Sequence, residues 1–397
     1  PMKLPLATRG GTISIAPLAL IDLLTEEGVT GSTYLFCYTP LALKPVLQTL
    51  ANLVPLIKGE AVAPLELDRR LQAQFRLLGT KGVVGMALAG IDMAAWDALA
   101  RAQGLPLIRL LGGAPRPIPA YNSNGLGLIG AERAAAEAEQ LAAPGFRAIK
   151  VRLGYENAKT DLDVVRAVRR AIGPDLALMS DYNQGPSVAE AVLRTGSLAG
   201  EDLYWIEEPT SADDHAGHAE IRRRSRLRIQ MGENWWGPHE MARCVAAGGS
   251  DFGMPDAMKI GGVTGWMRAA AIAESAGLPI SSHLIPEVSA HLLAASPTCH
   301  WLEYVDWAEP ILAEPVRIEF APLTLLFGPN NAGKSTIVQA LMYAREVLER
   351  NNCDAGRTVL GGDVVDLGGF RSLVYAQDTS RAIRMRIEVS LDSNGLR

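Results

Sequence analysis

Three stretches decide the fold of this chain: LALMSDYN (176–183), LYWIEEP (203–209) and RIQMGEN (228–234). Each is a short apolar run that leads to a carboxylate, and Asp181, Glu207 and Glu233 follow one another at equal intervals of 26 residues. A repeat of this length is typical of one strand–helix unit in a parallel barrel. In such a barrel the three side chains meet at the carboxyl ends of the strands, where three oxygen ligands favour a divalent cation, foremost Mg²⁺.

The barrel prediction covers residues 117–318. Strand-like phrases recur there: PIPAYNSN, FRAIKVRLG, LALMSDYN, LYWIEEP, RIQMGEN, FGMPDA, PISSHL and HWLEYVD. Helical stretches separate many of them, for example residues 131–143, 161–172 and 263–277. Eight parallel strands with intervening helices predict an α/β fold of the (β/α)-barrel type, with catalytic groups at the strand C-termini.

The residues on either side of the barrel follow different patterns. Residues 1–116 predict an α+β unit, with two strands around a Glu-Gly turn in 15–36 and mainly helices in 41–111. Residues 319–397 predict a partial P-loop α/β segment, because 321–350 contain a strand, a glycine-rich loop and a long amphipathic helix.

Composition narrows the classes of function. The net charge of −5 provides no basic surface for nucleic acid or anionic lipid. The four scattered cysteines form no CxxC pair, which favours a reduced, cytoplasmic setting. Prolines and Lys44 interrupt the most apolar region, residues 35–57, so we expect no membrane span. The hydrophobic content of 48% and charged content of 20% are ordinary for a soluble globular protein.

The predicted strand ends carry further polar residues. Lys150 and Arg152 are two residues apart on one strand, so both point into the barrel mouth. Asp256 and His283 end neighbouring strands, where the carboxylate can orient the imidazole and raise its basicity. Glu303 ends the last strand. With Mg²⁺, these groups suit abstraction of a proton next to a carboxylate through a stabilised enediolate.

These motifs belong to a wider pattern. The most specific stretches are STYLFCYTP, AGIDMAAWDALA, SDYNQ, WIEEPT, MGENWWGP, MPDAMKIGGVTGW, SSHL and SAHLLAASPTCHWLE. In these stretches the chain resembles the enolase superfamily, in its mandelate racemase subgroup, from about residue 5 to about residue 319. Muconate-cycloisomerase relatives carry a lysine in place of Asp256, so the Asp–His pair favours the racemase side.

The resemblance implies an enolase-type capping domain on a TIM-like barrel that binds Mg²⁺ or Mn²⁺ and a small carboxylate substrate. It implies that Asp181, Glu207 and Glu233 are the metal ligands and that His283 is a base oriented by Asp256. Relatives of the barrel often assemble, so a homo-oligomer is expected.

The resemblance also implies substrate contacts. Lys150 would neutralise the substrate carboxylate and Glu303 would donate a hydrogen bond to it, while Ser123 and Asn183 would be polar contacts. An apolar wall and lid would come from Leu6, Phe36, Tyr38 and Leu284. Such a wall suits an aromatic 2-hydroxy acid better than a polyol. Lys259 is expected to be a structural partner rather than a base.

Arg152 departs from the family pattern, which has Lys-x-Lys with the second lysine as the base opposite His283. A guanidinium stays protonated, so Arg152 is a poor general base. Its role is left open between a partner of the ligand carboxylates and a substrate contact. Racemase-like chemistry remains the first hypothesis, and dehydration of an acid sugar with His283 as the only base is the alternative.

The segment GPNNAGKS (328–335) matches the Walker A pattern. Gly328 and Gly333 would shape the loop, Lys334 would contact the β/γ-phosphates of ATP and Ser335 would contact Mg²⁺. The region resembles the start of AAA-type, structural-maintenance-like ATPases, but no Walker B strand follows, so we do not expect ATP hydrolysis. A nucleotide-binding fusion, or a chimera with impaired catalysis, is therefore a further hypothesis.

Overall fold

We describe a computed structural model of the chain, which defines the structure of residues 1–313. The chain divides into two compact units, Pro1–Ile318 and Glu319–Arg397. The first unit is described here. The predicted nucleotide-binding residues Gly328, Gly333, Lys334 and Ser335 lie outside the described residues.

The N-terminal part of the described chain is an α+β cap. Its strands are β1 (Leu6–Thr8), β2 (Gly11–Ile13), β3 (Leu18–Leu24) and β4 (Thr30–Phe36). Its helices are α1 (Pro40–Ile57), α2 (Pro64–Gln74), α3 (Val83–Ala102) and α4 (Leu107–Leu110). Strands β3 and β4 form the expected hairpin, whose turn includes Gly28 at φ 80°. The pairing of β1 with β2 is a second hairpin that the sequence analysis did not predict.

Helix α3 packs the cap together because its small residues allow a close approach. Gly31 of β4 lies against this helix, and a Cβ added at Gly31 would be 2.0 Å from the carbonyl oxygen of Ala94. At the other side, Asp92 accepts hydrogen bonds from the amide (3.0 Å) and hydroxyl (2.5 Å) of Thr264 in the barrel. The helix therefore connects the cap sheet to the barrel.

Seven parallel strands of the described chain form the barrel sheet. They are β5 (Ala120–Asn122), β6 (Ala148–Arg152), β7 (Ala177–Asp181), β8 (Leu203–Glu207), β9 (Ile229–Met231), β10 (Phe252–Gly253) and β11 (Leu302–Tyr304). Their order is β10-β9-β8-β7-β6-β5-β11. The helices that follow the cap are α5 (Ala131–Ala142), α6 (Ala158–Ile172), α7 (Val188–Leu198), α8 (His215–Arg224), α9 (Pro238–Ala247), α10 (Ala257–Ile260), α11 (Gly262–Ala276) and α12 (Pro286–Ala295). A single 3-10 turn follows at Glu309–Ile311.

The predicted eighth strand, PISSHL (279–284), is reduced to isolated bridges. Ile280 pairs with Gly253 and with Cys299, and His283 pairs with Asp256. The backbone of the segment still bonds to both neighbours, since the Ser281 amide donates to the Gly253 carbonyl at 2.8 Å and the Ser282 amide donates to the Trp301 carbonyl at 3.0 Å. The segment leaves the extended conformation at Leu284 (φ 48°). The expected cap-plus-barrel fold is confirmed, with this one strand corrected.

Two helices of the described chain are long and apolar enough, by length and composition alone, to cross a membrane. Helix α3 meets this test as a core helix, since 72% of its apolar window is buried within the protein. In helix α1 only 11% of the window is buried. This test is weak support for a membrane span, because core helices of folded domains also pass it.

Candidate active site

The three predicted metal ligands converge. Asp181 and Glu207 are the last residues of β7 and β8, and Glu233 lies two residues beyond β9. One carboxylate oxygen from each lies within 4.8 Å of the others. Parallel strands bring their carboxyl ends to one rim, so the regular spacing in the sequence becomes a single acidic cluster.

Lys150 lies beside this cluster, deep in the barrel. Its Nζ is 2.6 Å from Glu207 Oε1, 2.9 Å from Glu303 Oε1 and 3.6 Å from Asp181 Oδ2. Burial lowers the pKa of Lys150, but the three carboxylates outweigh burial and raise it. Burial opposes ionisation of Glu303, yet Lys150 and His283 lower its pKa to about 2. Lys150 is thus a fixed cation, and Glu303 is ionised at neutral pH.

Asp256 and His283 form the predicted pair. His283 Nδ1 lies 2.8 Å from Asp256 Oδ2, which directs Nε2 towards the acidic cluster, 3.1 Å from Glu233 Oε2. Burial lowers the pKa of His283, but the charges of Glu233 and Glu303 and the hydrogen bond to Asp256 raise it well above its usual value. The imidazole is therefore oriented on one side and faces the metal ligands on the other.

Tyr38 enters the site from the cap. Its ring lies 4.9 Å from that of Phe36, and its hydroxyl donates to Asp256 Oδ2 at 2.5 Å. The ring of Phe36 also lies 5.2 Å from that of Trp307, a residue that the sequence analysis did not single out. Leu284 is buried in the same hydrophobic cluster as Phe36, whereas Leu6 is buried outside that cluster. Tyr38 thus contacts the catalytic pair and not only the wall.

Arg152 bonds to the loop after β5 through both terminal nitrogens of its guanidinium, while its buried Nε has no hydrogen-bond partner among the described residues. Its guanidinium donates to the carbonyl oxygens of Ser123 and Gly125 and to Ser123 Oγ, each at 2.8 Å. Among the described residues it forms no ion pair with a ligand carboxylate, although its positive charge acts to lower the pKa of Asp181. Because Ser123 Oγ accepts from Arg152, it can still donate one hydrogen bond to a substrate.

Asn183 bonds to a metal ligand. Its amide N–H and its Nδ2 donate to Asp181 at 2.7 and 2.9 Å. Asn183 (φ 44°), Glu208 (φ 35°), Leu284 (φ 48°) and Tyr38 (φ 58°) all have left-handed backbones that are rare for residues other than glycine. Strain of this kind is typical of functional sites, where the surrounding packing maintains it.

A group of residues around Glu233 escaped the sequence analysis. Asn234 Nδ2 donates to Glu208 Oε2 at 2.8 Å and to Glu233 Oε1 at 3.0 Å, and Lys259 Nζ donates to Asn234 Oδ1 at 2.7 Å. Lys259 is therefore a structural partner, as expected. The signal available in the sequence was adjacency, since Glu208 and Asn234 each follow a metal ligand directly.

The donor set fits Mg²⁺. The buried oxygens Asn183 Oδ1, Glu208 Oε1 and Gln230 Oε1 have no hydrogen-bond partner. Burial, and the charges of neighbouring carboxylates, raise the pKa values of Asp181 and Glu207. A divalent cation would reverse that preference and favour the ionised forms, and carboxylates are the ligands that Mg²⁺ prefers.

Comparison with known proteins agrees with this geometry. Residues 1–112 match the family model of the mandelate racemase / muconate lactonizing enzyme N-terminal domain, and residues 133–326 match the enolase C-terminal domain-like model. Residues 311–345 match an AAA domain model. The chain belongs to the enolase superfamily, within the mandelate racemase / muconate lactonizing enzyme family, which confirms the resemblance.

The relatives described here include a cycloisomerase and a dehydratase. The chain is 34% identical to 3,6-anhydro-alpha-L-galactonate cycloisomerase of Streptomyces coelicolor over 60% of this chain and 67% of that relative. It is 31% identical to L-talarate/galactarate dehydratase of Salmonella typhimurium over 61% of each. A crystal structure of an enolase from Bradyrhizobium complexed with magnesium and mandelic acid is 48% identical, with a TM-score of 0.77, covering 80% of this chain and 88% of that chain.

Proposed function

We propose that this chain catalyses Mg²⁺-dependent abstraction of the α-proton from a 2-hydroxy carboxylic acid, in a racemase-like reaction with His283 as the base. The observation that carries the proposal is the position of His283 Nε2, 3.1 Å from Glu233 Oε2 and backed by Asp256. A base must lie within reach of the proton it removes, and this imidazole faces the ligands that would place the substrate.

Asp181, Glu207 and Glu233 would bind the Mg²⁺, whose positive charge favours the carboxylate and makes the neighbouring C–H more acidic. Lys150 adds a second fixed positive charge beside that position. Glu303 accepts a hydrogen bond from the Leu284 amide at 2.7 Å. It becomes a donor only when protonated, and an incoming substrate carboxylate would raise its pKa through like-charge repulsion. His283 accepts the proton at Nε2 in its neutral form, and a cation held by Glu233 would offset the negative charge that raises the pKa of His283.

The wall favours an aromatic substituent on the acid. Phe36, Tyr38, Trp307 and Leu284 offer rings and a branched alkyl chain but few hydrogen-bond groups. The related Bradyrhizobium enolase was crystallised with mandelic acid, an acid of this type. A polyol chain would leave many hydroxyl groups unpaired against such a wall.

The alternative function is dehydration of an acid sugar with His283 as the only base. The engagement of Arg152 with Ser123 and Gly125 favours one-base chemistry, since no lysine stands at that position. The dehydratase relative from Salmonella typhimurium supports the same alternative. Both reactions begin with the same proton abstraction and differ in the next step. In the racemase-like reaction the enediolate takes up a proton again at the α-carbon, and in the dehydration it loses the β-hydroxyl group as water.

Incubation in deuterated buffer tests the proposal. With Mg²⁺ and either enantiomer of mandelate, NMR should show α-proton exchange, and exchange should strongly favour one enantiomer because one face has a base. A panel of acid sugars, assayed for 2-keto acid products, tests dehydration in parallel. Absence of both exchange and dehydration would overturn the proposal, and dehydration without mandelate exchange would select the alternative.

Arg152→Lys tests the one-base interpretation. A lysine amine at this position can be deprotonated, so exchange of the disfavoured enantiomer should rise by about 10-fold or more, within the range of general base catalysis. Ser123→Ala is the matched control, because it removes one bond of Arg152 without adding an amine. An unchanged ratio of the two exchange rates would show that Arg152 does not limit racemisation.

Three wider proposals accompany this function. A small carboxylate is the expected partner, the chain is expected to form a homo-oligomer, and a cytoplasmic setting fits its composition. The AAA domain match supports nucleotide binding at the Walker A residues as a separate property. Calorimetric titration with ATP and Mg²⁺, with Lys334→Ala as control, tests it.

A further inference from the structure

Tyr38 of the cap forms a hydrogen bond to the Asp256–His283 pair. The chain leaves β4 at Phe36 and reaches Tyr38, whose hydroxyl donates to Asp256 Oδ2 at 2.5 Å. The same oxygen lies 2.8 Å from His283 Nδ1. Tyr38 was expected to be a lid residue and a substrate contact. Its polar atom instead points to the residue behind the base.

Asp256 is restrained at both oxygens. Oδ1 accepts from the amide of Met258 at 2.6 Å, at the start of α10, and Oδ2 is shared by Tyr38 and His283. The residue is completely buried. Rotation of the carboxylate would break all three bonds with no water to replace them. The direction of the imidazole, and therefore of Nε2, follows from this arrangement.

Lys259 keeps the tyrosine ring in place. Its Nζ lies 4.0 Å from the centre of the Tyr38 ring, a cation–π distance, and it also donates to Asn234. The Tyr38 and His283 rings are nearly parallel, at 7°. Tyr38 has a strained, left-handed backbone (φ 58°), and in this conformation its side chain points to Asp256.

We propose that Tyr38 is a positioning residue for the base: its hydroxyl orients Asp256 and through it His283, so that the cap controls proton abstraction without the hydroxyl contacting the substrate. This inference rests on the proposed function for its kinetic consequences. The geometric claim concerns only the three side chains and can be measured without any reaction.

Tyr38→Phe keeps the ring and removes the hydroxyl. We expect kcat for α-proton exchange to fall by about 10- to 100-fold, the usual loss for an outer hydrogen-bond partner, with KM changed by less than about 2-fold. Tyr34→Phe is the matched control. It removes a hydroxyl from the same cap segment, one that donates to Glu287 at 2.6 Å, and should leave kcat unchanged.

A double-mutant cycle with Asp256→Asn separates positioning from general damage to the fold. If Tyr38 acts through Asp256, adding Tyr38→Phe to Asp256→Asn should have little further effect. Additive losses would overturn the inference. So would a raised KM at unchanged kcat, because that pattern marks a substrate contact.

A spectroscopic measurement distinguishes failure of this inference from failure of the proposed function. In protein labelled with ¹⁵N-histidine, the His283 ring signals, assigned with His283→Gln, should shift or broaden in Tyr38→Phe and stay fixed in Tyr34→Phe. Unchanged His283 signals in Tyr38→Phe would overturn the positioning role whatever the activity. If the wild-type protein shows neither exchange nor dehydration, but the His283 signals shift as expected in Tyr38→Phe, then only the proposed function is overturned.

Discussion

The barrel interior contains two adjacent layers of opposite character. The layer at the rim is charged and polar and consists of Ser123, Lys150, Asp181, Glu207 and Glu303. The layer beneath it consists of the residues two places earlier on the same strands: Tyr121, Ala148, Met179, Trp205 and Trp301. Side chains two apart on a strand share a face, so each site residue stands directly above a supporting residue.

The comparison teaches that one strand can provide a reactive group and its support. Trp205 Nε1 donates to Glu207 Oε2 at 3.3 Å, and the Tyr121 ring lies 5.6 Å from Lys150 Nζ. Tyr121, Ala148, Met179 and Trp205 are completely buried, and a buried apolar layer of this kind strengthens the electrostatic interactions of the charged groups above it. We expect the upper layer to provide activity while it lowers stability. We expect the lower layer to raise stability.

The largest effect should follow from a change in the rim layer. Glu207→Gln removes one ligand charge, so activity should fall by about 10³-fold or more, since a bound metal contributes several kcal/mol to such reactions. In wild type, Mg²⁺ at about 100 times its Kd should add about 2.7 kcal/mol of stability. Melting curves recorded with Mg²⁺ and with EDTA should show this gain in stability for the wild type and no such gain for Glu207→Gln.

The same variant tests the proposed division of labour. Burial and the charges of the other carboxylates raise the pKa of Glu207, so its ionised form is disfavoured without a cation. In EDTA, Glu207→Gln should therefore melt at or above the temperature of the wild type. A clearly lower melting temperature in EDTA would contradict the division between the two layers.

A change in the supporting layer should have the next largest effect, on stability. Trp205 is completely buried, so Trp205→Ala should lower the free energy of unfolding by about 3–5 kcal/mol through lost burial and a new cavity. Urea denaturation followed by circular dichroism measures it. Leu193→Ala, at a side chain that is 74% exposed, is the control and should change stability by less than about 0.5 kcal/mol. A similar small loss at Trp205 would refute the supporting role.

The smallest effect concerns pH and His300, whose ring centre lies 6.0 Å from that of Trp205 in the lower layer. Burial and the charge of Arg228 lower the pKa of His300 from 6.5 to about 4. Between these values the unfolded chain binds a proton at His300 and the folded chain does not, so stability falls as the pH decreases from 6.5 to 4. His300→Gln should lose part of this dependence. Unfolding free energies at pH 7 and pH 5 measure it, and equal differences in both proteins would contradict the prediction.

Much of the rim was predictable because it depends on local order. The equal spacing of Asp181, Glu207 and Glu233 predicts convergence, since parallel strands present their ends to one rim. The pairing of Asp256 with His283 followed from neighbouring strands. The partners of Arg152 did not follow, because its long side chain can reach either the ligands or the β5 loop, and packing decides between them.

Contacts from the cap were also beyond prediction. Nothing in STYLFCYTP indicates that the Tyr38 hydroxyl reaches Asp256, a residue 218 positions later. The closure of the barrel by isolated bridges at Ile280 was equally hidden, since a short apolar run is compatible with a full strand.

The sequence by itself indicated the barrel, the convergence of Asp181, Glu207 and Glu233 and the pairing of Asp256 with His283, because these follow from periodicity and from motifs at single strand ends, and its resemblance to known motifs indicated the family. Only the tertiary structure decided which cap residue contacts the Asp256–His283 pair, which groups accept the hydrogen bonds of Arg152 and which residues lie beneath the site. Those features depend on side chains from distant segments competing for the same buried partners, and such competition is resolved by packing and not by local sequence.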